Sequence, residues 1–479
     1  MNNNKETKMK QFDTIIRGGT VVTAGDTIQC DVGIKGEKII ALGSNLEDDR
    51  AKVIDATGLL VMPGGIDSHV HIDQASGPGI VMADDFDTGT LSALCGGNTT
   101  VMPFAFQEKG QSLREAVDDY HEKAKGKSWI DHSFHIIISD PTPQALGQEI
   151  PAMVNDGYTS FKVYMTYEGL HLNDREIIDL LASARQHGAF IMVHAEGYDT
   201  LRYMIEQLES DGCTKPFGHA LSRPQVVERE ATHRAISLAE FIDVPMLLVH
   251  VSGREPMEQI RWAQQRGLKI FAETCPQYLL LTADDLDKDG MEGAKYICSP
   301  PPRDPDSQKA CWEGLQQGVF QIFSSDHCPF LIEGTTGKLR EGDKTTFQRV
   351  ANGVPGIETR LPILFSEGVK KGRIDLNQFV ALSSTNHAKM YGLYPRKGTI
   401  AVGSDADITL WDPDKKVTIT QDILHHGCDY TPYEGLEVTG WPVTVLSRGT
   451  LVMKNGKVTG KRGHGCYLSR DKSPHATVP

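Results

Sequence analysis

The chain has 479 residues, 47 of them glycine, with 39% apolar residues and a formal net charge of −14. That length exceeds one ordinary domain and accommodates a large barrel with a smaller partner. The composition excludes disordered and fibrous proteins, and the acidic balance argues against nucleic acid, which selects basic surfaces.

Met1–Lys10 is polar and charged and lacks the apolar core of a secretory signal. From Phe12 to about Met62 short β-like runs follow: Thr14–Arg17, Thr20–Thr23, Val32–Lys35 and Lys38–Leu42, separated by Gly-rich turns. The texture then changes to strand–helix alternation. Predicted strands are Asp67–His71, Asn98–Pro103, Phe134–Ser139, Ser160–Val163, Phe190–His194, Pro245–His250, Ile270–Thr274 and Phe320–Ser324. Amphipathic segments lie between them, among them Arg114–Lys125, Arg175–Arg185, Val226–Phe241 and Met257–Arg266. Eight strands alternating with helices predict a (β/α)8 barrel of the TIM type in the α/β class. The β texture returns at Ile408–Trp411, Val417–Ile419, Thr444–Arg448 and Leu451–Lys454. The two ends are therefore expected to pair into one small β domain. The division is 1–63 and 397–460 for that β domain, 64–396 for the barrel, and a basic tail, 461–479, either frayed or docked on another subunit. No run approaches the roughly 18 unbroken apolar residues of a membrane span. A cytoplasmic protein is expected.

Six residues stand at or near the C-terminal ends of predicted barrel strands: His69, His71, Lys162, His194, His250 and Asp326. A parallel barrel gathers its chemistry at that end. His69 and His71 lie two apart, so on a strand both point to one face. Four neutral imidazoles and a carboxylate suit zinc or a similar divalent ion. Lys162 lies inside an apolar run, where an ammonium is costly and has no lone pair for a metal. Either it escapes to solvent or an acid partner, or its neutral amine captures carbon dioxide. The resulting carbamate (N6-carboxylysine) is an anion able to bridge two ions. Asp326 follows Ser324–Ser325 and reads either as a helix N-cap or as a ligand that moves a proton. The neighbouring His327 is placed on the wrong side of the backbone for this site. The nine cysteines contain no CxxC pair, so reduced, mostly buried thiols are expected rather than a disulfide framework or a thiolate cluster.

These residues and the words around them resemble the dihydropyrimidinases and D-hydantoinases, cyclic amidases of the binuclear amidohydrolase superfamily. The words are Gly-Gly-Ile-Asp-Ser-His-Val-His, Ser-Phe-Lys-Val-Tyr-Met-Thr-Tyr, Val-His-Ala-Glu, Cys-Ser-Pro-Pro-Pro-Arg, Ser-Ser-Asp-His-Cys and Lys-Gly-Thr-Ile-Ala-Val-Gly-Ser-Asp-Ala-Asp. The resemblance runs from about Asp13 to about Tyr467. It implies a small β-sandwich built from both chain ends, a homotetramer, two zinc ions bridged by carboxylated Lys162, and a bridging hydroxide that opens dihydropyrimidines or 5-substituted hydantoins to N-carbamoyl amino acids. It also implies that Tyr167 stabilises the oxyanion and that Ser299 and Asn352 hold the cyclic amide. The loop Ile72–Met82, the run Met102–Phe106 and Gly197–Tyr198 depart from the family pattern. A cyclic imide hydrolase or an allantoinase-like amidase is the alternative substrate reading. A non-catalytic scaffold of the same fold is the remote alternative, set against retention of all six ligands.

Overall fold

The apolar runs become eight parallel strands: Gly65–Val70, Asn98–Phe106, His135–Ile137, Ser160–Tyr164, Phe190–His194, Met246–Leu248, Ile270–Thr274 and Ile322–Phe323. In the computed structural model, which describes residues 11–476, nearly every residue of these strands is buried. Parallel strands covered on both faces read as continuous apolar runs for this reason. Met1–Lys10, read above as a polar start, lies outside the described residues.

The intervening helices begin where the sequence supplies caps. Ser112 and Glu115 form a capping box before Leu113–Ala124, and Asn173 and Glu176 form another before Asp174–His187. Gly188, at φ 74°, then ends the second of these helices in a left-handed turn that a side chain would strain.

Register sets the height of the site. Tyr164 pairs with His194 and Lys162 with Met192, so the Lys162 backbone sits two residues deeper than that of His194. The long lysine stem spans this difference and brings its amine to the level of the imidazoles. The seam between the eighth and first strands is thin. The eighth strand has only two residues, and one bridge, Val70 to His327, joins the pair, with His71 N–H donating to His327 O at 2.7 Å. Arg360 strengthens the seam from inside. Fully buried, it lies 3.3 Å from Asp67 and donates to the carbonyls of Phe323 and Ile66 and to Asn98 Oδ1.

Both chain ends build the second unit. One four-stranded sheet holds Thr14–Arg17, Asp31–Lys35, Lys38–Gly43 and Lys52–Asp55. A seven-stranded mixed sheet combines Thr20–Val22, Thr27–Gln29 and Leu60–Pro63 with Ile408–Thr418, Glu437–Ser447, Thr450–Lys454 and Lys457–Val458. The predicted runs Ile408–Trp411 and Val417–Ile419 belong to one strand whose register shifts after Leu410 and Asp412. In the C-terminal tail, residues 463–476 pack on their own barrel. Leu468 N–H donates to His132 O, Cys466 N–H to Asp131, and buried Arg470 to Ser160 Oγ and Phe134 O. Residues 477–479 lie outside the described residues. Among the described residues no helix is long and apolar enough to cross a membrane. All nine cysteines are free, and five are buried.

Candidate active site

The six sequence-predicted residues converge at one end of the barrel. His69 ends within the first strand and His71 just beyond it, and both turn Nε2 toward Asp326 Oδ1 at 3.3 Å. Lys162 Nζ lies 3.3 Å from His69 Nε2. His194 Nδ1 and His250 Nε2 are 2.9 Å apart. Donor atoms of His69, His250 and Asp326 all fall within 4.8 Å of one another, the spacing of ligands around a shared metal centre. The Phe104 ring forms a wall, stacked on His71 at 5.0 Å between centroids and 4.9 Å from Lys162 Nζ.

Buried carboxylates that sequence reasoning did not single out aim these rings. Glu273 Oε1 lies 2.5 Å from His69 Nδ1 and accepts from the His250 backbone N–H at 3.1 Å, while Oε2 accepts from Ser324 Oγ at 2.7 Å. Glu196 Oε2 lies 2.7 Å from His194 Nε2. Gln74 Oε1 lies 2.7 Å from His71 Nδ1. A second-nitrogen partner of this kind fixes the tautomer and leaves the other nitrogen for a metal. The available signal was an acid inside an apolar run, Ile270–Thr274 for Glu273.

Burial pushes the imidazoles of His69, His194 and His250 down, so each is neutral and keeps a lone pair. Burial also lowers the Lys162 amine to about 8, against the nearby carboxylates of Asp326 and Glu273. It raises Glu273 to about 7, with Ser324 and Lys162 acting in the opposite sense. The donor set, its neutral rings and its carboxylate supports fit divalent metal ions.

Tyr167, His250 and Asp326 all hold positive φ, at 72°, 41° and 49°. For a tyrosine and a histidine this backbone is uncommon, and such strain gathers at functional sites. It also settles Asp326, whose backbone does not cap a helix. His327 indeed faces away, its Nε2 2.9 Å from Asp84 Oδ2. The Tyr167 ring sits 5.2 Å from that of His194, and its hydroxyl meets Ser299 and Asn352. Burial, followed by the charge of Glu196, raises the phenol, so it stays a donor at neutral pH. Ser299 and Asn352 line the same cavity of about 920 Å3 as His71, Lys162, His194, His250 and Asp326. The Ile72–Met82 loop supplies part of its outer wall through Gln74, Ser76, Ile80 and Met82.

The sequence profile of the amidohydrolase family matches residues 60–452. A D-hydantoinase of Geobacillus stearothermophilus is 45% identical over 460 residues, covering 96% of both chains. One from Rhizobium radiobacter is 43% identical over 462 residues, covering 96% of this chain and 99% of its own. The chain belongs to the dihydropyrimidinase/D-hydantoinase family of amidohydrolases. The crystal structure of a dihydropyrimidinase from Brevibacillus agri NCHU1002 superposes with a TM-score of 0.94 at 45% identity, covering 97% of this chain and 100% of that one. With both barrel and β unit matched, this member of the family is a hydrolase.

Proposed function

We propose that this enzyme opens the ring amide of dihydropyrimidines or 5-substituted hydantoins to N-carbamoyl amino acids. The observation that carries the reading is the convergence of four imidazoles, Asp326 and a buried lysine at one end of the barrel, all but His69 lining one cavity. His69, His71 and Asp326 form one donor group, His194 and His250 the other, with Lys162 between them as a carbamate. Two divalent ions bound there, zinc by donor type, supply a nucleophile from water at neutral pH and polarise the carbonyl.

The chain's own groups do the rest. Ser299 and Asn352 hold the cyclic amide, reading its one donor and one acceptor without constraining the substituent on the far carbon. Tyr167 donates its hydroxyl hydrogen to the oxygen that becomes negative on attack. Asp326 Oδ1 faces His69 and His71, so Oδ2 takes the proton of the attacking water and passes it to the leaving ring nitrogen. Glu273 and Glu196 keep the imidazoles aimed throughout.

The same reading divides the chain at 63, 396 and 460, assembles it as a homotetramer and places it in the cytoplasm. Purified enzyme should carry two metal ions per chain. It should hydrolyse dihydrouracil or phenylhydantoin faster than succinimide or allantoin, as measured by metal analysis and initial rates. Preference for succinimide or allantoin would reassign the substrate. Absence of metal and turnover would leave only the scaffold.

A further inference from the structure

A second group of metal-ligating side chains lies outside the catalytic cavity. Cys95, in the last turn of the helix Phe86–Cys95, meets Glu358 and His425, and donor atoms of the three fall within 4.8 Å of one another. None of the three lines the cavity described above. Cys95 and Glu358 are 4% and 2% exposed, whereas the His425 side chain is 37% exposed. The group therefore has buried anchors and one ring open to solvent.

Its hydrogen bonds are arranged for a ligand. Glu358 Oε2 accepts from Ser92 Oγ at 3.0 Å and from the His425 backbone N–H at 2.8 Å, which fixes the carboxylate. Oε1 is then directed at His425 Nδ1, 2.9 Å away. The Cys95 thiol, although buried beside them, makes no hydrogen bond to any described residue. Burial, then the charge of Glu358, pushes this thiol up, so without a cation it stays protonated.

We propose that Cys95, Glu358 and His425 form a further cation site, distinct from the catalytic pair, for a borderline-soft divalent ion such as Zn2+ or Co2+. One sulfur, one nitrogen and one oxygen donor match zinc-type coordination, with water in the fourth position on the exposed side of His425. On binding, the Cys95 proton leaves to solvent, the proton that His425 Nδ1 shares with Glu358 Oε1 also leaves to solvent, and the neutral ring carries its one proton on Nε2, so that Nδ1 is free for the ion. Ser92 and the His425 backbone stay on Glu358 Oε2 and hold the ligand in place. The ion would fasten a barrel helix, the segment before Arg360 and the loop at 424–428 to one another.

The test uses the intact enzyme with its two catalytic ions loaded, titrated with Co2+ alone. The catalytic donors proposed above are nitrogen and oxygen, so a thiolate-to-cobalt charge-transfer band in the near ultraviolet reports a thiolate site. The band should saturate at one further equivalent and vanish in Cys95→Ser. His425→Ala alters a partly exposed ring and keeps the fold, and should weaken Co2+ binding by more than about tenfold, the loss that even outer-shell partners of a ligand produce. No band, a band that survives Cys95→Ser and so belongs to another thiol, or unchanged affinity in His425→Ala would overturn the proposal.

Discussion

Lys162 makes the sharpest chemical demand on the site. A buried ammonium would repel cations, and an amine can attack carbon dioxide only when deprotonated. Burial lowers Lys162 to about 8, whereas an ordinary lysine titrates near roughly 10.4. Carboxylation of metal-free enzyme by labelled bicarbonate should therefore increase as pH rises through about 8, followed by the carbamate carbon signal in NMR. A midpoint near that of a free lysine, or no signal that disappears in Lys162→Ala, would remove the carbamate. Tyr167 is tested by Tyr167→Phe, which keeps the ring and deletes the donor. Turnover should fall by about 10²–10³-fold, the scale of losing an oxyanion-hole donor. KM should move less, because the neutral carbonyl gains less from that bond than the tetrahedral state does. A raised KM with unchanged turnover would make Tyr167 a packing or binding residue.

Among the elements, the seam between the eighth and first strands is the weakest joint. Its ladder is a single bridge, so Arg360 replaces pairing with side-chain bonds to Ile66, Asn98, Asp67 and Phe323. Arg360→Leu leaves Asp67 buried and without its cation. Breaking such a pair costs about 3–5 kcal/mol, which should appear as a lowered urea midpoint with reduced metal retention. A loss within about 1 kcal/mol would mean that the barrel closes without Arg360. The sequence made the strands legible because parallel barrel strands are apolar on both faces, and Phe190–His194 and Ile270–Thr274 were placed to the residue. It did not reveal that Ile408–Thr418 is continuous, because polar residues around Asp412 interrupt the apolar pattern without ending the ladder.

Across the whole molecule, the last turns of chain lock the barrel's flank. Leu468 is fully buried, and Arg470 reaches both Ser160 and Phe134. Truncation after Lys461 should cost more than about 2 kcal/mol, the lower range for emptying one buried leucine site, and lower the melting temperature in calorimetry. An unchanged melting temperature would show that the tail lies on the barrel without supporting it. By itself the sequence determined the barrel, the β unit shared by both ends, and the six residues His69, His71, Lys162, His194, His250 and Asp326. Strand periodicity and the placement of imidazole, amine and carboxylate side chains at strand ends are local properties, readable without a fold. The tertiary structure decided what depends on distance along the chain. Glu273 comes to His69 from 204 residues away, and Arg360 to Asn98 from 262. Cys95, Glu358 and His425 have no spacing that could announce a shared site. No local pattern encodes such meetings, since closure of the barrel and docking of the chain ends bring them about.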